Sequence, residues 1–190
     1  MDVLHFHVPG EAARREYAVY LIVARHRISK AVRIYVGKTG DNREGCNPLI
    51  SRAGNHLSFN PIHSQSRNHL GNAEEFDFEF FFTTFGPYVH PSESRTGIDL
   101  VNEMERQLNT LSQEVFGEIV NPLKLTSYVR RTERERRQQL VTAERTAQLQ
   151  RLVAKAKTFI ESTSQQCGDG AADAGVGGAG ADAERVDGGA

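Results

Sequence analysis

At 190 residues with no tryptophan, the chain is long enough for one domain with appendages. Two cysteines, Cys46 and Cys167, make neither a disulfide framework nor a zinc cluster, and no run of 18 apolar residues is present to span a bilayer. The formal charge of -1 is uneven: residues 167–190 hold five acids and one base, which leaves 22 bases and 19 acids, or +3, on residues 1–166 of the total of 23 and 24. A mildly basic body permits a nucleic-acid partner.

The first 16 residues form an N-terminal arm. They lack the basic start and long apolar core of a signal peptide, so with so few cysteines a reducing, cytoplasmic setting is expected. "EYAVYLIVARHRI", 16–28, is apolar on both alternations, which suits a central strand covered on two faces. "AVRIYVGK" follows after a short polar link and reads as its hairpin partner, with Ile34 and Val36 on one face and Arg33 and Tyr35 on the other. "NPLISRAGNHL", 47–57, predicts a short helix capped by Asn47, with Pro48 at its first position. Leu49, Ile50, Ala53 and Leu57 make its buried arc, with Arg52 and His56 at the edge. The segment 60–72 reads as a solvated loop, although its His, Ser and Asn residues are types that read base edges.

"EFDFEFFFTTF", 75–85, puts Phe76, Phe78, Phe80 and Phe82 on one face and Asp77 and Glu79 on the other, a strand with one wet side. Residues 96–117 predict an amphipathic helix with Ile98, Val101, Met104, Leu108, Leu111 and Val115 as its stripe, ended by Gly117. A third helix is expected from about Thr126 to Ser162. It opens with the charged "RRTERERR", a solvated face or, less simply, a phosphate-tracking stripe. The Gly/Ala-rich, acidic tail 167–190 has almost nothing to bury and is expected to be disordered. The expected fold is α+β: a small three-stranded antiparallel sheet flanked by helices, with a long C-terminal helix. Its parts are an arm (1–16), a core module (17–125), the C-terminal helix (126–166) and the tail.

The stretch "RIYVGKTG", 33–40, runs a strand into a glycine and a lysine, which is either a plain turn or a phosphate-handling corner. Tyr20 and Tyr35 fall on neighbouring strands, and Arg52 and His56, four apart on a helix, point the same way. On the long helix the wheel turns Glu103 toward water and sets Glu105 inside the apolar stripe, where a carboxylate needs a partner or a cation. Each feature alone has a plain reading as packing, a wet helix edge or a structural ion pair. Together, two phenols, an arginine, a histidine, a lysine and one semi-buried acid are a kit for handling a phosphodiester.

This pattern resembles the GIY-YIG nuclease family, in particular its restriction-endonuclease-like branch. "AVY", 18–20, stands for the first triplet, with Ala18 in place of glycine, and "YVG", 35–37, for the second, followed by "GKT". Arg52 and His56 resemble the family's helix Arg and its following His, "MERQL" the segment with its metal-binding Glu, and Asn121 its late asparagine. The resemblance covers residues 17–125, with "DNREGCNP" lengthening the gap between Tyr35 and Arg52. It implies an endonuclease that hydrolyses DNA, with Glu105 holding the metal. A lone carboxylate suits a single Mg²⁺ whose remaining positions go to water and phosphate. Tyr20 is then the expected general base or water orienter, and Arg52 and Lys38 are expected to favour the phenolate of Tyr20 or Tyr35 while holding phosphate oxygens. Tyr35 positions Tyr20, Arg52 stabilises developing charge, His56 shares the proton work or binds phosphate, and Asn121 orients the loop of Glu105 or touches the backbone, unless it simply caps a turn before Pro122. The competing expectation is a non-catalytic nucleic-acid-binding or assembly protein on a nuclease scaffold. The helix after residue 126 offers a surface on which two chains can pair as a homodimer.

Overall fold

The computed structural model describes residues 3, 5–40, 47–60, 65–121 and 130–169. Residues 126–129, where the third helix was expected to begin, Cys46, and the acidic tail from residue 170 onward lie outside the described residues. The fold is α+β. Strand β1 (Glu16–His26) is the middle of a three-stranded antiparallel sheet, between β2 (Val32–Thr39) and β3 (Phe76–Pro87). Its register sets Tyr20 opposite Gly37 on β2 and opposite Phe82 on β3. Residues 17–24 are all buried, which is why β1 is apolar on both alternations.

One face of the sheet carries Tyr20, Ile22, Tyr35, Phe78, Phe80 and Phe82. It packs on Ala12 of a short 3-10 turn (Gly10–Ala13) and on Leu49 and Ile50 of helix α1 (Leu49–Leu57). The N-terminal arm is thus part of the core module through Ala12. The other face carries Val19, Leu21, Val23, Ile34 and Val36 and is covered by helix α3 (Thr96–Phe116), whose Val101, Met104 and Leu108 are buried. Gly117 ends α3 in a left-handed conformation, φ 62°, as its position after the last periodic residue predicts.

Four expectations need correction. Asn47 does not cap α1: Pro48 holds that position, and the Asn47 carbonyl instead accepts the Thr39 hydroxyl at 2.5 Å. His56, read at the edge of α1's buried arc, is fully buried, whereas Ile50 and Leu57, read inside the arc, are only half-buried, so α1 is rolled toward its polar side. The stretch 60–72 contains a helix, α2 (Gln65–Leu70), with Ser66 buried. The third helix is two: α4 (Arg131–Gln138) and α5 (Ala143–Asp169), where Thr142 breaks the run and accepts the Arg145 N–H on its hydroxyl. Because α5 continues to Asp169, the first residues assigned to the tail are helical.

The wheel for α3 set Glu105 correctly as a part-buried, partnered acid but misplaced Glu103. Glu103 does not face water; it is fully buried, with both oxygens taken by Arg106 (2.5 and 3.2 Å) and one shared with Gln107 (3.2 Å). Val115, counted in the stripe, is exposed. The reason is that α3 is covered on a second side. Arg136 and Arg137 of α4 close on buried Asp99, the former at 2.6 Å, and α5 lies beside Leu111. A wheel centred on apolar residues finds only the side against the sheet.

The chain divides into two units, Met1–Lys157 and Thr158–Ala190. In the first, α5 contributes buried Leu149, Leu152, Val153 and Ala156. In the second, the described residues continue the helix, with Thr163 and Ser164 hydroxyls bonded back to the carbonyls of Phe159 and Ile160. No helix among the described residues is long and apolar enough to cross a membrane.

Candidate active site

Tyr20 and Tyr35 rise from the same face of the sheet on adjacent strands. The Tyr20 side chain is fully buried, and its ring lies flat over Gly37, its cross-strand neighbour. A Cβ at position 37 would stand 2.5 Å from both Cζ and the hydroxyl oxygen of Tyr20. Glycine in the middle of "YVGK" therefore clears the space into which the phenol of the opposite strand fits.

Helix α1 brings His56 over both phenols. Its ring centroid is 4.7 Å from that of Tyr35 and 5.7 Å from that of Tyr20. The Tyr20 hydroxyl and His56 Nε2 are 2.5 Å apart. Burial, and then the neighbouring Arg52 charge, push the imidazole down to about 4, so His56 is neutral at pH 7. Burial raises the Tyr20 phenol far above its ordinary range; Arg52 pulls the other way but is outweighed, and Tyr35 and Glu105 add to the rise. Tyr20 is thus a protonated phenol hydrogen-bonded to Nε2 of a neutral imidazole. The phenolate that nearby cations were expected to favour is disfavoured at Tyr20, because loss of hydration at a fully buried oxygen outweighs the pull of Arg52.

Arg52 is one turn before His56, close enough to act on both Tyr20 and His56. The Nε of Arg52 and Nδ1 of His56 are buried with no hydrogen-bond partner among the described residues. A buried donor left unpaired costs about 1–3 kcal/mol, so such atoms gather where something else completes the set.

Lys38 follows Gly37 on the opposite pleat and turns to α3, where its ammonium is in contact with Glu105 Oε2. Lys38 therefore serves Glu105 rather than the phenol. Glu105 is half-buried, and its negative charge reaches the Tyr20 hydroxyl. Asn121 is held at the outer edge of β2 by its backbone N–H, which donates to the Ile34 carbonyl at 2.8 Å. It shares the wall of a cavity of about 180 Å³ with Tyr35, Ser66 and His69. Asn121 thus lies beside Tyr35 at the edge of the sheet, while Pro122, before which it was read as a turn cap, lies outside the described residues.

Compared with protein-family models, with curated proteins and with solved structures, the chain finds no match. What the site can do therefore rests on its own geometry.

Among the described residues no group of three or more His, Cys, Asp or Glu could hold an ion. The chemistry of Glu105 still fits one kind of cation. A lone hard carboxylate suits an ion such as Mg²⁺, which keeps most of its waters and takes the rest of its oxygens from a phosphate. In the structure the Lys38 ammonium occupies that carboxylate, so a divalent ion bound there would take the place of the ammonium. Two features of the site escaped the sequence reading. One is the burial of His56, which the wheel's apolar arc concealed. The other is the role of Gly37, legible only once the hairpin register pairs it with Tyr20.

Proposed function

We propose that this chain is a metal-dependent endonuclease of GIY-YIG type that hydrolyses DNA phosphodiester bonds. The observation that carries this reading is the Tyr20 hydroxyl bound at 2.5 Å to a neutral His56, beside Arg52 and within the field of Glu105. A fully buried phenol on a neutral imidazole is a path along which a proton can move. As a water attacks phosphorus, the Tyr20 oxygen accepts its proton while the phenol proton passes to His56 Nε2. Neither group needs to be charged beforehand. Arg52, with an unpaired buried Nε, supplies a donor for the phosphate oxygens as negative charge grows on them. Tyr35 fixes the imidazole plane from its other side. Glu105 would hold the divalent ion in place of the Lys38 ammonium; when bound, that ion would supply charge relief on the phosphate and on the leaving oxygen.

One such site cuts one strand, so a double-strand break would take two chains, and pairing through α5 is the arrangement we propose for it. The reading is tested by incubating supercoiled plasmid with the protein in Mg²⁺ or in EDTA, beside a Glu105→Ala variant. Nicking in Mg²⁺ alone, lost in the variant, supports it. Tight DNA binding without cleavage by the wild type would favour the non-catalytic alternative.

A further inference from the structure

Phe59 stands three residues beyond His56, just past the end of α1, with 81 % of its surface exposed. A lone exposed apolar residue needs no explanation by itself. What sets Phe59 apart is how it is held. The guanidinium of Arg67, on α2, lies over its ring with Cζ 4.0 Å from the centroid. Arg67 is fixed in turn: its Nε donates to the Leu57 carbonyl at 3.0 Å and its Nη1 to the Glu74 carboxylate at 2.8 Å. Its side chain is only 17 % exposed. The clamp is neutralised by Glu74, so it has no charge to spare for a phosphate, and it backs one face of a ring whose other face meets water. Three residues of chain span at most about 10 Å, so the ring is tethered close to the helix that carries Arg52 and His56.

We propose that Phe59 is a stacking platform for a nucleobase of the strand held at the neighbouring Tyr20–His56 site. This rests on the nuclease reading and extends it to how the strand is gripped. A ring already immobilised loses little freedom on binding, and every base presents a π-face, so the grip is independent of sequence. It is also independent of salt: phenylalanine neutralises no phosphate and releases no counterion. The Arg67 clamp is the element that makes this ring, rather than another exposed apolar side chain, fit for the task.

The test is the binding of 2-aminopurine-labelled oligonucleotides, single-stranded and duplex, in EDTA over a series of KCl concentrations. Wild type, Phe59→Ala and Phe59→Trp are compared, and plasmid nicking by each is run in parallel. Because the ring is exposed, its truncation leaves the fold intact, which a thermal melt checks. Phe59→Ala is expected to weaken binding about tenfold at every salt concentration, with the slope of log K against log [KCl] unchanged, and to lose the 2-aminopurine quench. Phe59→Trp keeps both. Equal binding by wild type and Phe59→Ala, with normal nicking by the wild type, overturns the stacking role and leaves the nuclease reading in place. A weakening that comes with a shallower salt slope also overturns it. A wild type that neither binds nor nicks overturns the nuclease reading and this inference with it.

Discussion

Replacing Gly37 by alanine is the sharpest perturbation of the site that leaves every catalytic candidate in place. The new Cβ would lie 2.5 Å from Cζ and the hydroxyl oxygen of Tyr20, against the 3.4 Å at which ordinary contact begins. The shortfall is about 1 Å, and the ring has nowhere to retreat: Tyr20 is fully buried in a cluster with Ala12, Ile22 and Leu49. Overpacking of this kind costs about 1–3 kcal/mol. It would also move the hydroxyl from His56 Nε2, and a displacement of about 1 Å at a reacting group can cost on the order of 100-fold in rate. A double-mutant cycle in urea separates this clash from a general dislike of alanine on β2. In a Tyr20→Ala background the ring is gone, and Gly37→Ala should be neutral or slightly stabilising, since alanine is favoured over glycine in a strand by about 0.5–1 kcal/mol. An equal cost in both backgrounds would refute the packing argument.

Three further outcomes are expected. Glu103→Ala should destabilise the fold by about 1–3 kcal/mol in urea, because it removes a fully buried carboxylate that Arg106 and Gln107 share, while Glu105→Ala, which removes a part-buried partner of Lys38, should cost less stability and abolish Mg²⁺-dependent nicking; a larger stability loss from Glu105→Ala with nicking retained would mean that the two acids have been assigned wrongly. His56 is pushed down from 6.5 to about 4 in the folded chain, so the unfolded chain binds the proton more tightly between these values. Its stability contribution is complete above about pH 6.5 and is lost as the pH falls toward 4, roughly 3 kcal/mol in all, so urea midpoints of wild type should fall over that window more steeply than those of His56→Phe; parallel curves would show that the ring is not buried neutral. Asp99→Ala should free α4 from α3 by removing the acceptor of Arg136 and Arg137, seen as faster amide exchange confined to residues 131–138; unchanged exchange there would refute that anchor.

The sheet was legible because its strands announce their surroundings: β1 is apolar on both alternations and is covered on both faces, and β3 alternates and is covered on one. Gly117 likewise marks the end of α3 where the left-handed residue falls. The errors share one cause. Hydrophobic periodicity reports a residue's type, not what meets it. His56 is buried because a phenol from the sheet satisfies it, a partner no helical wheel contains. Glu103 is buried because Arg106 and Gln107, three and four residues on along α3, satisfy it, a pairing the wheel holds but a search for apolar residues passes over. Thr142, which separates α4 from α5, is a single weak capping signal in a charged run. In the site, Tyr20, Tyr35, Arg52 and His56 were brought together as expected, since hairpin register and helical spacing both follow from sequence. The attachment of Lys38 to Glu105 rather than to the phenol follows from the pleat alternation, which sets it on the opposite face from Tyr35. The roll of α1 depends on side-chain packing alone.

The Tyr20–His56 contact is where the account is most exposed. Nicking of supercoiled plasmid in Mg²⁺ by wild type and Tyr20→Phe, which differ by one buried oxygen, addresses it directly. The wild type should nick, leaving 5′-phosphate and 3′-hydroxyl ends, and the variant should lose about 100-fold or more in rate at unchanged DNA affinity. A Tyr20→Phe protein that cuts as fast as the wild type, or a wild type inert toward DNA in Mg²⁺, would contradict it.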